Sequence, residues 1–308
     1  MNRPDTAILS AWSNQLAALV EQVAANVVAI HVGRRESISG AVWRDGLIVT
    51  AAHALGRVHD IALTLPDGTR ATAQLAGADG STDLAALRFD SLNAPPLASS
   101  DAAAVQAGHW VMAVARNARN DVTVDHGLIA RAGGAWQTWR GGRIDRLLRL
   151  DGALAASFAG APIVSADGSA IGIGTPALAR GYGIAIPTST VNRVVDELLA
   201  KGRIMRGWFG VSTQTVALSE TQTKTLALAD PHGALVTSIA EDSPAAQGGL
   251  LLGDILIDID GQRVTDIESV QAALAATRVG QRVTTSVVRA GQRLATEVTV
   301  GERPRAHC

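Results

Sequence analysis

Short β-branched runs cut by Asp-Gly turns dominate residues 26–187, and that pattern confines the region to a barrel or layered β architecture. Asn26-Val27-Val28-Ala29-Ile30-His31-Val32 reads as a strand, because β-branched side chains suit a pleated, half-buried surface. Gly40-Ala41-Val42-Trp43 and Leu47-Ile48-Val49-Thr50 flank Asp45-Gly46, a pair that accepts the positive φ of a hairpin turn. Pro66-Asp67-Gly68 and Asp167-Gly168 punctuate two more strand pairs in the same way. The period changes at Thr188, where Val191, Val194, Val195, Leu198 and Leu199 share one helical face. Thr188 or Ser189 is the expected N-cap, and Gly202 follows the helix end. Beyond a basic linker at 201–206 the pattern turns mixed. Strands are expected at 235–239, 255–259, 282–288 and 294–300, with a helix over 266–276 that turns Ile267, Val270 and Leu274 inward. The expected division is an N-terminal segment (1–25), a β domain (26–202), a second domain (206–301) and a tail (302–308).

The 308 residues suffice for two domains with cores of their own. Apolar residues at 47% and charged residues at 18% are globular proportions. A net charge of −1 and 3% aromatics argue against nucleic acid as a partner, since neither a basic face nor a stacking platform is on offer. The one cysteine, Cys308, rules out an intrachain disulfide and fits a reducing compartment or an exported protein that manages without. Residues 2–15 show no secretory signal, so the expected location is cytoplasmic, or periplasmic if an export segment has already been removed. No Cys/His cluster has metal-ligand spacing, and Gly172-Ile173-Gly174 lacks the context of a dinucleotide loop, so neither a metal nor a cofactor is expected.

Chemistry concentrates in three segments. His53 closes Thr50-Ala51-Ala52-His53 at the end of a strand, and Asp83 opens the apolar strand Leu84-Ala85-Ala86-Leu87 thirty residues later. Then Leu150-Asp151-Gly152-Ala153 leads through Ser157-Phe158-Ala159-Gly160-Ala161-Pro162 into a strand-turn-strand. A lone histidine after a strand is ordinarily structural, and His31, His59, His109, His126, His232 and His307 have no such context. The order histidine, aspartate, nucleophile is that of the chymotrypsin-like double β-barrel. There, an imidazole takes the hydroxyl proton, a buried carboxylate fixes its tautomer, and two backbone N–H groups hold the oxyanion.

Taken together the chain resembles the HtrA (DegP-like) family of trypsin-fold serine proteases over nearly its whole length. Thr82-Asp83-Leu84-Ala85-Ala86-Leu87-Arg88 and Gly181-Tyr182-Gly183-Ile184-Ala185-Ile186-Pro187 are similar to two of its strand motifs. Arg206-Gly207-Trp208-Phe209-Gly210-Val211 resembles the peptide-carboxylate loop of its PDZ domain, and Ser243-Pro244-Ala245-Ala246 with Gly253-Asp254-Ile255-Leu256 resembles that domain's central motif. The resemblance implies a mainly β chain, a chymotrypsin-like double β-barrel followed by a small α+β PDZ domain. It implies His53 as base, Asp83 as its orienter and the N–H groups of Ser157 and Ala159 as the oxyanion hole. Trp208, Phe209, Gly210 and Val211 would receive a peptide, although core packing explains Trp208 and Phe209 equally well. Implied partners are unfolded polypeptides or C-terminal peptides, in a homo-oligomer that family resemblance makes a trimer. Trp12, Leu16, Leu19 and Val20 lie at near-helical spacing and could contribute to it, but packing on the chain's own barrel explains that stripe more economically.

The resemblance breaks where the nucleophile belongs. Alanine occupies 159, serine replaces the oxyanion glycine at 157, and Phe158 and Ala161 replace a small polar residue and a glycine. Arg116-Asn117-Ala118-Arg119-Asn120 departs from the family pattern as well. Ser157 is a poor substitute nucleophile, since two residues along a turn displace its hydroxyl by more than the roughly 2.6–3.2 Å reach of a general base. An intact His53 and Asp83 fit an active protease with a Ser→Ala substitution made to trap it. The accompanying changes at 157, 158 and 161 fit natural loss and a pseudoprotease that binds peptides, which is the preferred expectation. A purely structural subunit, stabilising active relatives in a mixed oligomer, is the third.

Overall fold

Strands β1 (Val27–His31), β2 (Ser37–Arg44), β3 (Leu47–Ala51), β4 (Asp60–Thr64), β5 (Arg70–Asp79) and β6 (Leu84–Arg88) close into a barrel in the order β1-β2-β3-β6-β5-β4. A second barrel follows from β7 (Trp110–Arg116), β8 (Val122–Ala132), β11 (Leu148–Leu150), β12 (Pro162–Ser165), β13 (Ala170–Thr175) and β14 (Ile184–Pro187), with a small hairpin of β9 (Trp136–Gln137) and β10 (Arg143–Ile144) inserted after β8. This computed structural model describes residues 6–33, 36–56, 60–89, 96–204, 207–274 and 278–302. The expected Asp-Gly turns are present, with Gly46, Gly68 and Gly168 at φ +65°, +86° and +82°.

The first barrel is filled by Val28, Ile30, Ile48, Leu63 and Leu87, and the second by Val111, Ala113, Ile129, Leu148 and Ile163. A third cluster joins Trp43, Val49 and Leu84 to Met112, Ile173 and Ile186, and helix α2 (Thr188–Lys201) adds Val191, Val194, Val195 and Leu198 to it. The cap of α2 differs from expectation. Pro187 holds that position and no side chain caps the helix; Thr188 instead donates to the Ser100 carbonyl at 2.9 Å, securing the helix start to a neighbouring loop. Gly202 closes the helix at φ +70°, as the sequence indicates.

Helix α1 (Thr6–Ala24) divides in two. Val23 and Ala24 are buried and Leu19 and Val20 pack beside them, whereas Trp12 is 55% exposed and Ile8 and Leu9 stand in solvent beside it. The stripe therefore packs on its own barrel only in its last turns, because a helix about 28 Å long outruns the surface that covers it. Arg116 anchors the covered end. Its buried guanidinium donates to the carbonyls of Ala24 and Val27, each at 2.7 Å, and to Asn120, joining the helix end and β1 to β7.

Residues 1–204 form one compact unit and 205–308 another. In the second, β15 (Gly207–Trp208), β16 (Val211–Ala217), α3 (Glu220–Thr225), β17 (His232–Ile239), α4 (Pro244–Gln247), β18 (Ile255–Ile259), β19 (Gln262–Arg263), α5 (Ile267–Ala273), β20 (Arg282–Arg289), β21 (Gln292–Thr299) and β22 (Gly301–Glu302) follow in order. The main sheet runs β16-β17-β18-β20-β21, leaving β16 at its edge. The expected helix over 266–276 is shorter: Asp266 caps it through a reciprocal bond with Ser269, and positions 275 and 276 lie outside the described residues. Its inward stripe is Val270, Ala273 and Leu274. Ile267, expected inside, is 42% exposed, because the i, i+3, i+4 set that meets the sheet begins one turn later. Asp254 is buried and held by Arg289 through two bonds of 2.7 Å.

Candidate active site and peptide edge

His53 sits on the short 3-10 turn Ala52–Ala54 directly after β3, so the strand end fixes its origin. Asp83 precedes β6, the partner of β3, and the pairing of Ala51 with Leu84 brings the two residues together. The Asp83 backbone has φ +61°, an uncommon value for a non-glycine residue. A tight local network holds it there: Asp79 accepts hydrogen bonds from Ser81 N–H, the Ser81 hydroxyl and the Thr82 hydroxyl. That shape lets Asp83 bind the histidine turn three ways. Its carbonyl accepts Ala52 N–H at 3.1 Å, and its carboxylate accepts His53 N–H at 2.8 Å and faces Nδ1 at 2.9 and 3.0 Å.

A third group completes the arrangement. The Thr175 hydroxyl donates to the buried Asp83 carboxylate from the end of β13. With Nδ1 fixed on Asp83, the imidazole's Nε2 edge is the one left to face solvent, and the side chain is about one-third exposed. The hydrogen bond to Asp83 raises the His53 pKa above its ordinary value; burial and the Arg140 charge oppose it, and the Asp83 charge adds to it.

Ala159 is fully buried. Its carbonyl accepts Ser39 N–H at 3.0 Å, and it shares an apolar cluster with Ala51 and Leu55, which flank the histidine turn. Gly160 has φ +78°, and a Cβ there would collide with the Ser39 carbonyl and the Thr50 hydroxyl. Glycine is therefore required to press this loop onto the end of β3. Upstream, Ala156–Phe158 forms a single 3-10 turn. Phe158 N–H donates to Ala155 O at 2.9 Å and Ala159 N–H to Ala156 O at 3.1 Å, so the latter N–H is occupied inside the loop. The Phe158 ring is buried with Leu150, Leu154 and Ile163 in the second barrel, while Ser157 is exposed.

In the second unit, Gly210 has φ +82° and its Cα faces the Ser243 side chain with no room for a Cβ. The carbonyls of Phe209 and Gly210 accept Ala245 and Ala240 N–H groups, so both acceptors are occupied within the unit. Phe209 is 1% exposed and Trp208 half-buried; Phe209 therefore belongs to the core and could offer a ligand only its backbone. Arg206 lies outside the described residues. Val211 begins β16, whose inner side pairs with β17 and which lies against α5.

Sequence reasoning missed Thr175 and Arg116. A threonine in a strand is too ordinary to stand out, and Arg116 registered only as a departure from a pattern.

Comparison with known proteins agrees with this architecture. A trypsin-like peptidase domain matches residues 38–173 and a PDZ domain matches residues 207–300. A probable periplasmic serine endoprotease, DegP-like, from Halomonas elongata is 31% identical over 281 residues, covering 89% of this chain and 58% of that protein. The chain thus spans little more than half the length of that relative. The solved HtrA-type protease AlgW with decapeptide aligns at a TM-score of 0.74 and 27% identity, over 94% of this chain and 99% of the other. AlgW with tripeptide aligns at 0.72 and 30% identity, over 94% and 97%.

Proposed function

The chain belongs to the HtrA family of trypsin-like serine proteases with a PDZ domain, and from that premise we propose that it grips polypeptides without cutting them. The observation that carries the proposal is the state of the loop at Ala159. A methyl group stands in the nucleophile position, and loss of the nucleophile from such a triad costs about a millionfold in turnover. The same residue's N–H, one of two that would hold an oxyanion, is bonded to Ala156 O. Two separate requirements of acyl transfer are therefore unmet in one loop.

In this reading His53, Asp83 and Thr175 keep the geometry of a base, its orienter and a support for the orienter. Peptide capture falls to the PDZ domain. An extended peptide adds to the outer edge of β16, with α5 facing its side chains, and main-chain hydrogen bonds supply affinity with little sequence demand. The peptide's C-terminal carboxylate docks at the Trp208–Gly210–Val211 loop. The AlgW structures with decapeptide and tripeptide support a peptide ligand for this kind of chain. Unfolded or C-terminal peptides are the partners, bound by a homo-oligomer.

The intact His53–Asp83–Thr175 arrangement favours a second reading, an active endopeptidase of protein quality control that lacks only the oxygen of a serine at 159. Titration calorimetry with a library of C-terminal peptides, followed by mass spectrometry of the recovered peptides, tests the first reading. Binding with every peptide recovered whole is expected. No binding at millimolar concentration refutes peptide capture, and cleaved products refute catalytic silence.

A further inference from the structure

On the outer face of the second barrel, β11 and β8 pair so that Arg149 lies directly opposite Arg131. Leu148 and Leu150 on either side of Arg149 are buried, so the arginine projects away from the barrel core, as strand alternation requires. Like charges directly opposite on neighbouring strands destabilise a sheet. An arginine pair of this kind is commonly relieved by a carboxylate, but among the described residues neither the Arg131 nor the Arg149 side chain makes a hydrogen bond or an ion pair. Asp151, two residues further along the chain, turns its carboxylate onto Gly127 instead.

Among the described residues the Arg149 guanidinium has a ring for a partner. Its Cζ stands 4.5 Å over the ring of Tyr182, which precedes β14 and is 44% exposed. Ile184, the residue opposite Arg149 on β14, is two positions after Tyr182. A guanidinium stacked on a ring has its flat face occupied and its N–H edge left over. Arg149 Nε is buried and without a hydrogen-bond partner, an expensive state for a charged donor. Two guanidinium groups without a counter-charge, beside an exposed phenol, call for an anionic complement at their N–H edges.

We infer that Arg131, Arg149 and Tyr182 form a binding site for an oxyanion, a carboxylate or a phosphate group. Arginine forks suit such planar or tetrahedral oxygen clusters, donating two bonds per guanidinium. The site shares no residue with the His53 arrangement or with the β16 edge, and it stands whether or not the chain cleaves peptides. It lies one residue before Leu150, whose N–H donates to Gly183 O at 2.9 Å, so an occupant would grip the strand from which the Ala159 loop departs.

Tyr182 is the chain's one tyrosine, so 3-fluorotyrosine labelling gives a single ¹⁹F resonance at the site itself. The labelled full chain is titrated with inorganic phosphate and, separately, with an N-acetylated, C-amidated peptide containing one glutamate, ionic strength being held constant with sodium chloride. A saturable shift is expected with at least one of them. Arg149→Gln and Arg131→Gln should each weaken it by roughly ten- to a hundredfold, the worth of a charged hydrogen bond. Saturation by phosphate alone identifies a free anion as the ligand, and tighter binding of the glutamate peptide identifies a polypeptide carboxylate. Without ligand, Arg131→Gln should also melt above the parent, because the repulsion is gone while Arg149 keeps its place on Tyr182. The inference is overturned if neither titrant shifts the resonance, if chloride alone reproduces the shift, or if both variants respond like the parent.

Discussion

Restoring a hydroxyl at 159 should not by itself restore a protease. In Ala159→Ser the nucleophile position of the proposed site would regain its hydroxyl, but the N–H of residue 159 would still be bonded to Ala156 O. Freeing it gives up one backbone hydrogen bond, a net cost of about 1 kcal/mol. Reorienting the turn also pulls on Phe158, and withdrawing that ring from the barrel core costs about 2–3 kcal/mol. The sum of about 3–4 kcal/mol corresponds to roughly 10²–10³ in rate, the range seen when one oxyanion donor is lost. The triple variant Ser157→Gly, Phe158→Asn, Ala159→Ser removes the ring's cost and should hydrolyse fluorescent casein roughly 30- to 150-fold faster than Ala159→Ser alone. Near-UV circular dichroism checks folding, and the double variant Ser157→Gly, Ala159→Ser serves if loss of the buried ring proves too destabilising. Single and multiple variants within tenfold of each other, all folded, would refute the claim that the turn obstructs catalysis.

Other consequences are equally open to measurement. Asp83→Asn removes the hydrogen bond that raises the His53 pKa, so NMR titration should find the imidazole pKa lower than in the parent. Since the folded value in the parent is raised, the stability His53 contributes is full below its ordinary pKa of 6.5 and is lost as pH rises through the folded value. The stability gap between parent and His53→Asn should accordingly be widest below about pH 6.5 and shrink as pH rises through the raised folded value. Burial would raise the Asp254 pKa, but hydrogen bonds from Arg289 and Leu251 N–H outweigh it and hold the carboxyl below its ordinary value. Its stabilising effect is present above that ordinary value and fades as acid protonates it, so urea melts should show the second unit weakening at low pH. Arg289→Met leaves a buried carboxylate unpaired and should cost about 3–5 kcal/mol in the same melts at neutral pH. Gly210→Ala should abolish peptide binding in calorimetry, as the added methyl meets Ser243 in a backbone conformation alanine resists.

Much of this was legible because local chemistry and global fold agree. The Asp-Gly turns fixed hairpins whose strands close the barrels, and His53 and Asp83 sit at the ends of paired strands, so their meeting follows from the register. The 3-10 turn before Ala159 could not be read. It depends on the Phe158 ring finding space among Leu150, Leu154 and Ile163, which come from other strands of the second barrel or the loop after them. The Arg131–Arg149 opposition was hidden for a related reason, since eighteen positions of chain separate two residues that only the pairing of β8 with β11 places side by side. Ile267 misled because periodicity identifies a face without saying where along the helix its cover begins.

Arg116 also sets an order of events during synthesis. Its guanidinium closes on the carbonyl of Ala24, 92 positions earlier in the chain. At roughly 5–20 residues per second, the ribosome delivers that side chain roughly 5–18 s after the helix end it secures. Throughout that interval the apolar end of α1 is without its clamp, and the helix waits for the first strand of the second barrel before it is fastened.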